Sequence, residues 1–483
     1  LTKIIETPTI FYREQKNGCP KNPRLSPGGG LKGGNAEKAA GSGMFFLLPN
    51  HDILTSIYKE ECNLMLRKIA TIAAVCVIGA LLFAGSAVAE EKVIKIGTLF
   101  PLTGPSAVSG QNCLNSVLAA AEVINNAHTD INVPLASSAG LLDGYRIVIV
   151  KADHQGKPDV AKSEAERLYN QEGVFAIIGS YNSSATKPAS AVAERAKKLF
   201  LCGASSSAAL TERNYKYFFR HAPTDAIESE EFTDYITYLN KDKNAGIKTL
   251  GLIYENTEFG KHAADEAKKA AKKVGLEVIA DVPFNNGATN LSSEVQTLKA
   301  ANPDAVFGAA LGGDYSLWVR TMKQVNWLPR IAINYCTGYQ NPAVQKELAG
   351  DGDYFMGGMG FSPELAKNFM PEALKVQERF YKPLAKQEFD SDSLQEAVML
   401  LVLGQAIEKA GAVDTEKVRE VLSTATFASP LSLSGEVAFQ PGGQNVKALS
   451  VITQIKDLKY NTIYPERFQD SEPMFPMTPW DKR

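Results

Sequence analysis

Apolar and polar positions along this chain switch between two periods. Short apolar runs at Val93–Leu99, Tyr145–Val150, Phe175–Ile178 and Leu199–Cys202 read as buried strands. Between them apolar residues recur at helical spacing. Leu114, Val117, Leu118, Ala121 and Ile124 mark one buried face, and Ala191, Val192, Ala196 and Leu199 another. The alternation restarts beyond a short strand at Tyr217–Arg220 and a helix at Glu228–Leu239. It then runs through strand Thr249–Tyr254, helix Phe259–Val274, strand Glu277–Val282, helix Ser292–Ala300, strand Ala305–Gly308, helix Tyr315–Val325 and strand Arg330–Ile333. Strand and helix taken in turn predict an α/β fold of two doubly wound lobes, each a mostly parallel sheet with helices on both faces. Helices follow at Glu364–Tyr381, at Leu394–Ala410 with Gly411 as its cap, and at Asp414–Leu422. Leu431–Phe439 and Val446–Ile455 then alternate around Pro441-Gly442-Gly443, which predicts a β-hairpin. The tail Ser471–Arg483, rich in Pro and charge, reads as peripheral.

The start of the chain has a different pattern. Residues 1–64 show no sustained periodicity and carry a Gly-rich patch at Pro27–Gly34. A basic Met65-Leu66-Arg67-Lys68 then precedes an apolar run from Ile69 to Ala84 and Ala87-Val88-Ala89. That order predicts a secretory signal peptide over 65–89, cleaved after Ala89. The run is short of the roughly 18–20 residues that span a bilayer. Residues 1–64 are then expected to be upstream sequence rather than native protein. The expected location is the periplasm, with no clear lipoprotein site at Cys76.

Composition narrows the chemistry. With 51 basic and 53 acidic residues the formal charge is −2, which gives no electrostatic case for nucleic acid or an anionic membrane. Cys113, Cys202 and Cys336 are too widely spaced for a disulfide framework or a zinc pattern. No metal site and no cofactor are expected. Dinucleotide, phosphate-loop, zinc-protease and nucleophile-elbow motifs are missing, and the 5 histidines are scattered, so an enzyme is not expected.

The most informative stretch is Gly179–Ser207. Two buried runs each break into small hydroxyl residues: Ser183, Ser184 and Thr186 after the first, Ser205, Ser206 and Ser207 after the second. Such residues are commonly helix caps and turn formers. Two loops of this kind at the carboxyl ends of neighbouring parallel strands instead predict a crevice of hydroxyl and backbone donors for a small anion.

These segments resemble the type I periplasmic solute-binding proteins, specifically the leucine/isoleucine/valine-binding family of ABC importers. The resemblance is carried by IKIGTLFPLTGPSAVSG at Ile94–Gly110, IIGSYNSSATKPAS at Ile177–Ser190 and GASSSAALTERNYKYFFR at Gly203–Arg220. LIYENTEFG at Leu252–Gly260 and LSGEVAFQPGGQN at Leu433–Asn445 complete it. It implies a Venus-flytrap fold with three hinge crossings near Arg220, Tyr354 and Ala428. Lobe one would be 90–220 plus 357–427, lobe two 221–356 plus 428–470, and 471–483 a tail. It also implies a monomer that presents a small ligand, an amino acid or small organic acid, to a membrane permease.

Carried over by the resemblance, Ser183, the backbone of Ala204 and the hydroxyl of Ser206 would hold a ligand carboxylate, with Asn182 and Ser205 beside them. The other pocket positions depart from the amino-acid binders. Ser109 stands where an aromatic wall is usual, Phe259 and Ala397 where a Tyr is usual, and Tyr335 where an acid takes the ligand's ammonium. Either Glu255, Asp314 or Glu396 supplies that charge, or the ligand is an acid without an ammonium, such as an aromatic carboxylate.

Overall fold

The computed structural model describes residues 51–83 and 92–483, with no side-chain placement for 51–58, 76–83, 336 or 337. The chain divides near Ala89 into two units. In the first, helix α1 (His51–Phe83) runs without a break through Met65. The expected cleavage point after Ala89 and residues 1–50 lie outside the described residues. Among the described residues no helix is long and apolar enough to cross a membrane.

Among the described residues the second unit holds two large sheets and a two-stranded ribbon. Strands β1 (Val93–Phe100), β2 (Arg146–Asp153), β3 (Ala176–Gly179), β4 (Leu199–Cys202) and β5 (Phe218–Arg220) form a parallel sheet in the order β2-β1-β3-β4-β5. Helices α2 (Ala107–Asn125), α3 (Pro158–Asn170) and α4 (Ser183–Ala196) are the crossovers. On α2 the buried face includes Leu114, Val117, Ala121 and Ile124, as the helical spacing marks, whereas on α4 it is Ala185, Ala189, Val192 and Ala193, with Ala196 exposed and Leu199 already in β4. Ile96, Leu99, Ile177, Ile178, Leu201 and Cys202 are fully buried, as strands covered on both faces must be.

The second sheet follows α5 (Asp225–Asp242). It contains β6 (Thr249–Glu255), β7 (Glu277–Phe284), β8 (Ala305–Ala309), β9 (Ile331–Asn334) and β10 (Met356–Met359). Helices α6 (Glu258–Val274), α7 (Ser292–Ala301) and α8 (Gly312–Gln324) connect its parallel strands. After β10 the chain returns to the first lobe, where α9 (Ser391–Ala410) packs on α2 and Asn112 donates to Asp390 at 3.0 Å. Helix α10 (Thr415–Thr424) and a two-stranded ribbon, β11 (Thr426–Ala428) and β12 (Glu436–Ala438), then precede β13 (Val451–Lys456) and β14 (Lys459–Tyr464). These last two complete the sheet β14-β13-β10-β9-β8-β6-β7.

Four expectations change. A tight antiparallel turn does close at Pro441-Gly442-Gly443, where Phe439 pairs with Asn445 and Gln440 N–H donates to the Gln444 carbonyl at 3.0 Å. Val446–Ile455 is not its partner strand: β13 pairs instead with β14 through Asp457-Leu458, both at positive φ (52° and 62°). Such a two-residue turn matches the strand twist, and without Asn-Gly or Asp-Gly its sequence signal is weak. The turn at Gln440–Asn445 also lies along β5, where Gly443 N–H donates to the Gln440 carbonyl and the Gly443 carbonyl accepts from Arg220 N–H at 2.7 Å. A Cβ on Gly443 would sit 1.8 Å from the Phe218 carbonyl oxygen, so only glycine allows that approach. The second crossing falls after Met359, not near Tyr354, because β10 pairs with β9 and β13. The helix expected over Glu364–Tyr381 is broken into Pro363–Phe369, Pro371–Val376 and a π turn, with Pro371 restarting it. The tail is not peripheral: Met477 is buried, Trp480 donates to the Trp327 carbonyl, and the Arg483 guanidinium lies 3.9 Å from the Trp480 ring centre.

Candidate functional site

The carboxyl ends of the parallel strands of both lobes meet at one cavity of about 240 Å³. Lobe one supplies Pro105 and Ser106 after β1, Gln155–Lys157 after β2, Tyr181–Ser184 after β3, and Ala204 and Ser206 after β4. Lobe two supplies Glu255, Thr257 and Phe259 around the start of α6, with Asn286 and Leu311 after β7 and β8. The volume suits a solute of amino-acid size, below the roughly 300–1,000 Å³ of pockets for drug-sized ligands.

The β3–α4 loop is the donor-rich wall. Tyr181 takes a φ of 72°, a strained conformation for a bulky residue, and so turns the chain into α4 at the cavity edge. Ala185 and Thr186 N–H donate to the Asn182 carbonyl at 3.0 and 2.9 Å, which leaves the Ser183 and Ser184 N–H groups at the start of α4 without an intrahelical acceptor, and the helix end carries partial positive charge. Asn182 stands at the N-cap but makes no side-chain cap, and its buried Oδ1 has no partner. Ser183 and Ser206 line the cavity beside these groups. This wall can hold an anion with neutral donors.

Several expected site residues have other roles. Ser205 is fully buried behind the wall, where its hydroxyl bonds Thr186 Oγ1 at 2.7 Å and the Tyr181 carbonyl at 2.9 Å. It ties the two loops together and does not line the cavity. Ala204 lines the cavity, but its N–H donates to Glu396 Oε1 at 3.1 Å while Gly203 N–H donates to Oε2 at 2.9 Å. That N–H is therefore occupied. A Cβ on Gly203 would lie 2.5 Å from Glu396 N, so this close seat of loop on helix needs glycine. Ser109 is buried on α2 away from the cavity lining. Tyr335 is core: its hydroxyl bonds Ser229 Oγ at 2.5 Å and the Ala263 carbonyl at 3.2 Å, and its ring packs on Phe232. The end of β9 points it between α5 and α6. Phe259, Asn182, Ser183 and Ser206 do line the cavity.

The three candidate acids also separate. Glu396 is fully buried and committed to the Gly203 and Ala204 N–H groups. Asp314 accepts from Gly287 N–H at 2.8 Å and from Asn286 at 3.3 Å, and does not line the cavity. Only Glu255 of the three faces it. Its carboxylate accepts from Leu311 N–H and from Asn286 Nδ2 at 2.9 Å. Burial first, and the Asp314 charge in addition, push it up to about 8 against the pull of those donors.

Two buried histidines do not line the cavity. His221, just after β5, is buried and bonds Ser432 Oγ at 2.9 Å. His154 bonds the Ser180 carbonyl through Nε2 at 2.9 Å and accepts Gly156 N–H on Nδ1 at 3.1 Å. Burial holds both near 4, so they are neutral. At the cleft rim Lys187 of α4 forms a two-pronged ion pair with Glu258 of α6, at 2.8 and 2.9 Å. Tyr181, Gln155, Lys157, Asn286 and Leu311 are lining residues that sequence reasoning missed. Their one signal was position, just beyond a parallel strand.

A family model described as periplasmic binding protein matches residues 93–459. The Leu/Ile/Val-binding protein homolog 7 of Brucella melitensis is 25% identical over 413 residues, covering 82% of this chain and 97% of that protein. The leucine-binding protein LivK of Thermotoga maritima shares the fold with a TM-score of 0.66 at 21% identity, over 77% of this chain and 98% of its own. So does an ABC-transporter solute-binding protein of Rhodopseudomonas palustris, solved with 3,4-dihydroxybenzoic acid. Its TM-score is 0.64 at 18% identity, over 81% of this chain and 99% of its own.

Proposed function

The chain belongs to the periplasmic binding protein family, and we propose that it is the extracytoplasmic solute-binding component of an ABC importer. It captures an amino acid, branched-chain or related, between its lobes and offers the closed form to a membrane permease. It works as a monomer, exported by the segment 65–89. The ligand carboxylate sits at the α4 N-terminus with Ser183 and Ser206, and the ammonium at Glu255. The observation that carries this reading is the placement of Glu255. It is the one of the three candidate acids that lines the cavity, and it does so from the lobe opposite the donor wall. An ammonium buried without such a partner would be costly.

Phe259 and Leu311 line the wall next to Glu255, and a carboxyl pushed up to about 8 is protonated at neutral pH. That combination supports a second reading, an aromatic acid whose ring meets the apolar wall and whose oxygen accepts from neutral Glu255. A thermal-shift and calorimetric comparison of leucine, isoleucine and valine with their deaminated acids and with hydroxybenzoates separates the two. Amino acids should stabilise the protein, and Glu255→Gln should weaken them at least about tenfold while leaving deaminated acids unchanged. Tight binding of ammonium-free acids that Glu255→Gln does not alter would sink the amino-acid reading.

A further inference from the structure

The lobe-one side of the cavity carries a cation that neither the carboxylate wall nor Glu255 uses. Lys157, at the end of the β2–α3 loop, lines the cavity with Gln155 and Gly156. Its Nζ donates to Gln155 Oε1 at 3.1 Å, a neutral partner, and among the described residues no carboxylate lies within ion-pair distance of it. Lys187, on the neighbouring helix, is by contrast already paired with Glu258.

The loop that carries Lys157 is exposed at Gln155 and Lys157, and its backbone is fixed by local bonds. Lys157 N–H donates to the His154 carbonyl at 2.7 Å, Gly156 N–H to His154 Nδ1 at 3.1 Å, and Gln155 N–H to Asp153 Oδ1 at 2.8 Å. His154 reaches on to the Ser180 carbonyl, in the loop that leads into α4. The cation's backbone and the anion-holding helix end are therefore fixed to one another through a buried, neutral imidazole. β2 and β3 flank β1 in the sheet, so their ends are two strand spacings, about 9–10 Å, apart. A carboxylate at the start of α4 leaves that span for the rest of the ligand, and the lysine stem shortens it.

We propose that Lys157 is a specificity residue that selects a second acidic group, so that the preferred solute is an amino dicarboxylate rather than an apolar amino acid. This rests on the amino-acid reading and, within it, moves the preferred ligand away from the branched-chain amino acids. Each ligand charge then meets its opposite: the first carboxylate at the α4 end, the ammonium at Glu255, and the second carboxylate at Lys157. A charge-assisted bond to an otherwise unpaired ammonium at the cleft is worth on the order of tenfold in affinity.

The test is calorimetry on the full chain with matched pairs: L-glutamate against L-glutamine, L-2-aminoadipate against L-norleucine, and glutarate as the dicarboxylate without an ammonium. The same titrations are run on Lys157→Met and Lys157→Arg. The acidic member of each pair should bind about tenfold more tightly. Lys157→Met should erase that preference while leaving the neutral member within about twofold, and Lys157→Arg should keep it. Neutral members that bind equally or better in the wild type overturn the role of Lys157 and leave the amino-acid reading standing. A preference that survives Lys157→Met overturns it as well. Glutarate binding more tightly than glutamate, with the Lys157 effect intact, supports the second anion position and removes the ammonium contact at Glu255. Binding by no member of the panel overturns both.

Discussion

Glu255 and Glu396 are the same residue type under similar burial, and their neighbours give them different roles. Both are pushed up to about 8, chiefly by burial. A carboxyl whose folded value exceeds its unfolded value near 4.5 contributes stability that is complete below about pH 4.5. That contribution is lost as pH rises through about 8. The free protein should therefore lose melting temperature between pH 5 and 9. Glu396→Gln should flatten that slope and cost about 1–3 kcal/mol at pH 6, because the amide NH2 only donates and would face one of the N–H groups of Gly203 and Ala204, where the hydroxyl oxygen of the protonated carboxyl can still accept. Scanning calorimetry across pH reads both effects; an unchanged slope would reject the burial account. At Glu255 an arriving ammonium favours the ionised form. Amino-acid affinity should accordingly rise by up to about tenfold per pH unit from 6 to 8. Up to one proton should be released, measured as a dependence of binding enthalpy on buffer.

At the scale of elements, the site is made by strand ends and one helix start. The β3–α4 loop brings the α4 start to the cavity, and the Gly203 loop after β4 is seated on α9 through the Gly203 and Ala204 N–H bonds to Glu396. Gly203→Ala forces a Cβ to 2.5 Å from Glu396 N. It should destabilise the protein by about 1–3 kcal/mol through overpacking. The effect on ligand affinity should be larger, since the Ala204–Ser206 loop must move. If chemical denaturation and ligand titration of this variant both match the wild type, the loop is not seated as described. The sequence showed the hydroxyl residues of this loop pair plainly. It could not show that Ser205 turns inward to Thr186 while Ser183 and Ser206 face the cavity, because hydroxyl residues of one loop look alike until their partners are known.

For the whole molecule, the relevant contact is the one across the cleft. Lys187 of α4 and Glu258 of α6 belong to different lobes, so their ion pair exists only while the lobes are together. Lys187 is half exposed, and exposed pairs contribute about 0.2–1 kcal/mol. Lys187→Ala should weaken ligand binding by roughly two- to fivefold at low salt, and by less at 1 M salt where the wild-type pair is screened. Equal losses at both ionic strengths would mean the contact does not act as a charge pair.

The alternation of strands and helices was determined by the sequence, because burial on one or both faces writes its period directly into the apolar positions. So were the two hydroxyl-rich loops, since small polar residues after a buried run mark where a strand ends. The choice among Glu255, Asp314 and Glu396 belonged to tertiary structure, as did the inward turn of Tyr335 and the place of Lys157 on the cavity wall. A carboxylate's role depends on which backbone N–H groups reach it first, and those come from loops far away in sequence. The turn at Asp457-Leu458 and the packed tail were hidden for a related reason. Neither carries a local signal, and both are held by contacts that exist only once the second sheet is assembled.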